Sequence, residues 1–105
     1  MQPKRVVYET LIEETDYKVS TMRMEPGSET TWHTHTEVSD IWVVCSGQLV
    51  VDYNDKNTSI TLEVGQHFSV PRTTKHRVRN VGSKEALILL TQAGGKRDFI
   101  PVSDF

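Results

Sequence analysis

Short apolar stretches separated by turn-forming residues run through most of this chain and limit the folds it can adopt. Stretches of about four to eight residues, alternating or continuous in apolar character and bounded by Gly, Pro, Asn, Asp or Ser, are typical of β-strands. They occur at residues 5–8, 18–24, 32–35, 40–45, 48–53, 58–62, 67–70, 76–80 and 86–92. Residues 54–57 are the strongest hairpin signal, and a helix confined to residues 11–15 would be too short to be stable alone. The pattern predicts an all-β sandwich or barrel.

Length, charge and cysteine content narrow the class of protein. The 105 residues fit one domain, which we expect to span residues 1–105. Twelve basic against 14 acidic residues give a net charge of -2, so neither nucleic acid nor an anionic membrane is an expected partner. A single cysteine, Cys45, excludes an internal disulfide, and we expect it to be an inert, packed thiol. The start of the chain has no apolar signal region, which predicts a cytoplasmic protein.

The triplet His33-Thr34-His35 is the first candidate for chemistry. Side chains on a strand repeat with period 2, so His33 and His35 point to the same face. Asp40 follows on the approach to an apolar run. Neutral imidazoles with one carboxylate form a ligand set for a divalent transition metal. An isolated triplet of this kind is a weak motif, and it also describes two hydrogen-bonding histidines on an edge strand.

Two segments, residues 27–47 and 65–80, together resemble the two motifs of the cupin family. The first family motif is glycine, five residues, HxH, three or four residues, glutamate, six residues and glycine. The second is glycine, five residues, proline, one residue, glycine, two residues, histidine, three residues and asparagine. Asp40 stands at the glutamate position and Thr73 at the second glycine of the later motif. The other positions match, namely Gly27, His33, His35, Gly47, Gly65, Pro71, His76 and Asn80.

The resemblance implies a cupin double-stranded β-helix, or jelly-roll barrel, similar to mannose-6-phosphate isomerase-like and RmlC-like cupins. It also implies one divalent transition metal, Zn, Mn, Fe, Ni, Co or Cu, bound by His33, His35, Asp40 and His76. Because aspartate is one methylene shorter than glutamate, Asp40 either ligates directly, binds through a water, or holds a histidine ring. Glu37 is the alternative carboxylate. At Thr73 the turn either does without a positive φ or accepts some strain.

Strand alternation assigns the neighbours of these ligands. If Asp40 faces inward, Trp42 and Val44 do too, whereas Val43 and Cys45 face outward. Trp42 then either walls a substrate pocket or belongs to the core.

Three further residues are considered as candidates for the site. Gln92 is a candidate cavity residue, and Arg72, in the loop before His76, is a candidate for binding a carboxylate or phosphate. His67 lies within residues 65–80 but is not one of the motif positions, and we expect it to be a hydrogen-bonded strand histidine instead of a further imidazole ligand.

The resemblance leaves several functions open. One is a metalloenzyme for a small oxygen-rich molecule, either sugar-phosphate isomerase- or epimerase-like or dioxygenase-like. The alternative is a non-catalytic, metal-loaded module or sensor that binds a sugar or another small molecule. A third is a metal-free epimerase-like cupin with a histidine base. We also expect a homodimer, because strands at residues 5–8 and 86–92 are predicted to be edges that pairing would cover.

Overall fold

The computed structural model of the protein describes residues 4–103. This part of the chain contains no helix, and therefore none that is long and apolar enough to span a membrane. Its strands are β1 (Val6–Glu13), β2 (Tyr17–Met24), β3 (His33–Thr34), β4 (Val38–Ser46), β5 (Leu49–Tyr53), β6 (Ser59–Leu62), β7 (His67–Val70), β8 (His76–Arg79), β9 (Ala86–Gly94) and β10 (Ile100–Pro101). The predicted all-β class is confirmed, and residues 11–13 continue β1 as a strand.

The strands form two five-stranded antiparallel sheets. The first sheet has the order β1-β2-β9-β4-β7 and the second β10-β3-β8-β5-β6. Consecutive strands alternate between the sheets along much of the chain, as in the predicted double-stranded β-helix. The prediction that the first strand is an edge is confirmed, since only β2 pairs with β1. The same prediction for residues 86–92 is wrong: β9 lies at the centre of its sheet, between β2 and β4.

Inward side chains of β2, β9 and β4 lie level with one another, because these three strands pair in register. Apolar rows from this sheet pack with Leu49, Val51 and Val78 of the second sheet to form the core. At one end of the barrel the outermost row of inward side chains is polar instead of apolar. From that end inward, the rows are Lys18, Gln92 and Asp40; then Ser20, Leu90 and Trp42; then Met22, Ile88 and Val44. The apolar rows hold the two sheets together, and the polar row leaves room for a site.

The alternation predicted for β4 is confirmed. Asp40, Trp42 and Val44 are each at most 3% exposed, whereas Val43 is half-buried. Cys45 corrects one expectation: its thiol is exposed instead of packed, because it lies on the outward face at the irregularity near the end of β4.

Backbone conformation explains two motif positions. Gly47 has a φ of +80°, and a Cβ there would lie 2.9 Å from the Cα of Ala86, so only glycine fits the turn after β4. Thr73 has a φ of 70°, and its amide donates to the carbonyl of His35 at 2.8 Å. Of the two alternatives for Thr73, the turn therefore accepts the strain of a left-handed β-branched residue.

Candidate metal centre

The three motif histidines meet Asp40 in the space between the sheets. His33 on β3 lies directly opposite His76 on β8, and His35 follows at the end of β3. Asp40 reaches them from β4 in the facing sheet. All four side chains are buried, and one ligand atom from each lies within 4.8 Å of the others. Two separate segments of sequence are thus brought to one point.

Each imidazole is oriented by a backbone carbonyl. Nδ1 of His33 lies 2.6 Å from the carbonyl oxygen of Thr31, and Nδ1 of His76 lies 2.8 Å from that of Thr74. Nδ1 of His35 lies 2.5 Å from the carbonyl oxygen of Asp98. A carbonyl only accepts hydrogen bonds, so each Nδ1 carries the proton and donates it. In the neutral ring the Nε2 lone pair is then free to bind a cation.

Asp40 provides the only negative charge that directly contacts these rings among residues 4–103. Its Oδ2 lies 3.1 Å from Nε2 of His35 and 3.0 Å from Nε2 of His76, while Oδ1 accepts from Gln92 at 3.2 Å. With both rings neutral, unprotonated Nε2 atoms would face an acceptor oxygen, which is repulsive. A bound cation, or a proton on a ring, removes that repulsion. The residues present therefore fit a divalent metal, and the short aspartate arm reaches the cluster.

Burial and charge move the pKa values of the cluster apart. Burial would raise the pKa of Asp40, but hydrogen bonds and charge from His35 and His76 outweigh it and hold the pKa well below its usual range. Burial would lower the pKa of His35, yet Asp40 and the nearby Asp98 raise it overall. For His33, burial together with the neighbouring His76 lowers the pKa to about 4. His33 is therefore neutral at pH 7, the state that a metal requires.

A family model described as a cupin domain matches residues 20–91, which is more than half of the chain. The chain belongs to the cupin family. One curated relative of this cupin, the uncharacterized protein YdbB of Bacillus subtilis, is 33% identical over 49 residues. That match covers 47% of this chain and 42% of the relative, so it spans less than half the length of YdbB.

Solved structures share the fold of this cupin. A protein with a double-stranded β-helix domain from Klebsiella pneumoniae aligns with a TM-score of 0.83 at 21% identity, covering 94% of this chain and 85% of that one. An RmlC-like cupin from Desulfovibrio desulfuricans aligns with a TM-score of 0.74 at 28% identity, covering 85% and 82%. An oxalate oxidase aligns with a TM-score of 0.74 at 22% identity, covering 83% of this chain and 46% of that one.

A cavity of about 290 Å³ opens beside the cluster of this cupin. His33, His35 and Asp40 line it on one side, and Trp42 and Leu90 form part of its apolar wall. Ligand sites in proteins are concave and mostly apolar, with a few convergent polar groups. The cavity of this cupin fits that description and lies directly against the candidate metal ligands.

The candidate substrate-binding residues are placed differently. Trp42 belongs to the core, where it is 2% exposed, and it also lines the cavity; its role in binding a substrate stays a prediction. Gln92 also lines the cavity and donates to Asp40. The structure does not bring Arg72 there: it is exposed in the turn after β7 and is absent from the cavity lining.

Two alternatives for the ligand set lie elsewhere. The carboxylate of Glu37 accepts from the amide of Lys96 at 3.1 Å, and His67 is exposed on β7. Neither belongs to the buried cluster formed within residues 4–103.

The segment after β9 contributes functional residues that the sequence reasoning missed. Phe99 stacks on His33, with ring centroids 4.2 Å apart, and is 52% exposed at the mouth of the cavity. Asp98 orients His35 through its carbonyl, while its carboxylate binds the amide and hydroxyl of Thr36. No motif or spacing marks this segment. The pairing of β10 with β3, together with the contacts of Asp98 with Thr36 and His35, holds it at the site.

Proposed function

We propose that this cupin holds one divalent transition metal through His33, His35, Asp40 and His76, and uses it to bind a small oxygen-rich molecule in the adjoining cavity. The observation that carries the proposal is the common orientation of the three imidazoles. Each is fixed by a carbonyl on Nδ1, which leaves Nε2 as the free ligand atom. Nε2 of His35 and Nε2 of His76 lie 3.1 and 3.0 Å from Oδ2 of Asp40, and His33 offers a ligand atom within 4.8 Å of the other three. Three nitrogens and one oxygen suit Zn, Mn, Fe, Ni, Co or Cu.

The protein groups around the cluster have separate roles in this account. Gln92 donates to one oxygen of Asp40 and leaves the other directed at the histidines. Phe99 and Trp42 supply apolar surface beside the cluster, against which the carbon atoms of a ligand can pack. The metal, when bound, would act as a Lewis acid on ligand oxygens or as a redox centre. These roles serve an isomerase- or epimerase-like reaction as well as a dioxygenase-like one.

Access to the site favours a metalloenzyme over a closed structural site. Four protein ligands leave coordination positions open on a metal that takes five or six, and the cavity lies against the cluster. The fold is shared with a solved oxalate oxidase, whose name states an enzymatic activity, and this supports the choice of an enzyme. A non-catalytic metal-loaded binding module would share the same cavity, so turnover distinguishes the two. A metal-free epimerase would instead retain activity after chelation.

Water exchange on Mn²⁺-loaded protein tests whether the site is open. We expect bound Mn²⁺ to enhance the longitudinal relaxation of water protons, because exchangeable water occupies the open positions facing the cavity. A His67→Ala variant is the matched control, since His67 is exposed and outside the cluster. Bound Mn²⁺ without any enhancement would contradict the open site, and a protein that retains no metal after loading would contradict the proposal itself.

The oligomeric state and the cellular location of the protein are proposed separately from its metal site. We propose a homodimer formed at β1, the edge strand on which Val7, Tyr8, Leu11 and Ile12 are each about half exposed. An unpaired strand edge with apolar side chains is suited to pairing with a second copy across a two-fold axis. A single domain over residues 1–105, in the cytoplasm and with no nucleic-acid or membrane partner, completes the proposal.

A further inference from the structure

Lys18 is a half-buried cation in the lining of the cavity. It stands opposite Gln92, which stands opposite Asp40, in the polar row that crosses three strands. Neighbouring strands are about 4.8 Å apart, so the Cα atoms of Lys18 and Asp40 are separated by about 10 Å. A small molecule that reaches the candidate metal at one end therefore has its other end near Lys18.

The other charged groups around the cavity are already engaged. Arg97 also lines it, but its guanidinium binds the carboxylate of Glu13 at 3.1 Å and the carbonyl of Glu14 at 2.9 Å. The carboxylate of Asp98 binds Thr36. Within residues 4–103, by contrast, no carboxylate forms an ion pair with Lys18. The ammonium of Lys18 is thus the cation in this lining that is available to a ligand.

The charges around the metal-loaded site also favour an anionic ligand. A divalent metal brings two positive charges, and Asp40 supplies the one negative charge within its cluster. Lys18 adds a further positive charge, so the cavity is net positive when the metal is bound. Ser20 and Gln92, which line the cavity on either side of this position, add hydrogen-bonding groups for oxygen atoms. This arrangement favours an anionic ligand over a neutral one.

We propose that Lys18 recognises an anionic oxygen group, a carboxylate or a phosphate, on the ligand that the metal centre binds. The inference rests on the proposed function because it assigns a substrate class to the same cavity. Lys18 is a specificity-determining residue in this account, since it contacts the ligand and holds no metal. A lysine used only to keep the barrel rim solvated would not discriminate among ligands.

Calorimetric titration of metal-loaded protein with malonate, inorganic phosphate and glycerol tests the proposal. The variants are Lys18→Met, which keeps the stem length, and Lys18→Arg, which keeps the charge. Lys56→Met is the matched control, because Lys56 is an exposed lysine in the turn between β5 and β6, away from the cavity lining. Metal content and far-UV circular dichroism are recorded for every sample.

We expect the wild type to bind at least one anion more tightly than glycerol, and the preferred anion identifies the group as carboxylate or phosphate. Lys18→Met should weaken that binding about tenfold or more at unchanged metal content, because a charge-assisted hydrogen bond is lost. Lys18→Arg and Lys56→Met should retain it.

Three results would overturn the role of Lys18: equal anion affinity in Lys18→Met, glycerol binding as tight as either anion, or parallel loss of metal and anion in Lys18→Met. A different result would count against the metal centre alone. If the wild type holds no metal and Lys18→Met still loses anion binding, the proposed function fails and the role of Lys18 is supported.

Discussion

The low pKa of His33 makes the metal-free protein sensitive to acid in a defined pH range. Burial and the adjacent His76 lower this pKa from 6.5 to about 4. Between these two pH values, His33 is protonated in the unfolded chain but neutral in the folded chain. Stability is fully present above the unfolded pKa of 6.5 and is lost as the pH falls from there through about 4.

The structure sets the size of this loss. A difference of about 2.5 pKa units, at about 1.4 kcal/mol per unit, gives about 3.5 kcal/mol in full, of which about 3 kcal/mol is lost between neutral pH and pH 4. The lowered pKa of Asp40 contributes stability that is lost only below about 3.8, outside this range. The raised pKa of His35 contributes stability that increases as the pH falls through its folded value and is complete below 6.5, so it partly offsets the loss near neutral pH. That offset is common to the wild type and to variants of His33, so a comparison between them isolates the contribution of His33.

Denaturant unfolding of chelator-treated protein at several pH values measures this contribution. The wild type should lose about 3 kcal/mol more than His33→Gln between about pH 7 and pH 4. The exposed His67 supplies the control, and His67→Gln should follow the wild type. Parallel pH profiles for the wild type and His33→Gln would refute the assignment of a buried neutral imidazole at position 33.

Three further predictions concern single positions. Thr73→Gly should raise the free energy of unfolding by about 1 kcal/mol, because a left-handed residue costs about 1–2 kcal/mol and part of this gain is offset by the greater entropy of glycine in the unfolded chain. Asn54→Gly, at a φ of 68°, is the control and should gain less stability, because asparagine tolerates this conformation. A lower melting temperature for Thr73→Gly would contradict the strain at this position. Asp40→Asn should weaken metal binding at least tenfold in a competition titration with a chelator, since it removes the cluster's carboxylate; unchanged affinity would place Asp40 outside the ligand set. Light scattering should give twice the 12.0 kDa chain mass for the wild type and for Val64→Asp, but less for Val7→Asp on β1; a wild-type monomer would refute the dimer.

Local pattern predicted the parts of this fold that depend on local geometry. Alternation with period 2 placed Asp40, Trp42 and Val44 on one face, because successive side chains on a strand must point to opposite sides. The resemblance to the two cupin motifs implied that His76 joins His33 and His35, and the structure places it in the same cluster. In both cases the relevant information lies within a single short segment or a recognised pair of segments.

Features that depend on pairing between distant strands could not be predicted from local sequence patterns. β9 was predicted to be an edge because it is the last long strand, but its pairing with both β2 and β4 is set by the order of strands in space. The roles of Asp98 and Phe99 depend on the return of the chain to β3 through β10. Lys18 could have been found, since the alternation that buries Ser20 and Met22 also directs Lys18 inward.

Elemental analysis of untagged protein after loading, beside the variants His76→Ala and His67→Ala, tests the central claim most directly. His76 belongs to the buried cluster and His67 is exposed on β7. We expect about one transition metal ion per chain in the wild type and in His67→Ala, and loss of that ion in His76→Ala, because the set of four ligands is then incomplete. Wild-type protein without metal after loading, or equal metal content in all three, would contradict the metal centre described here.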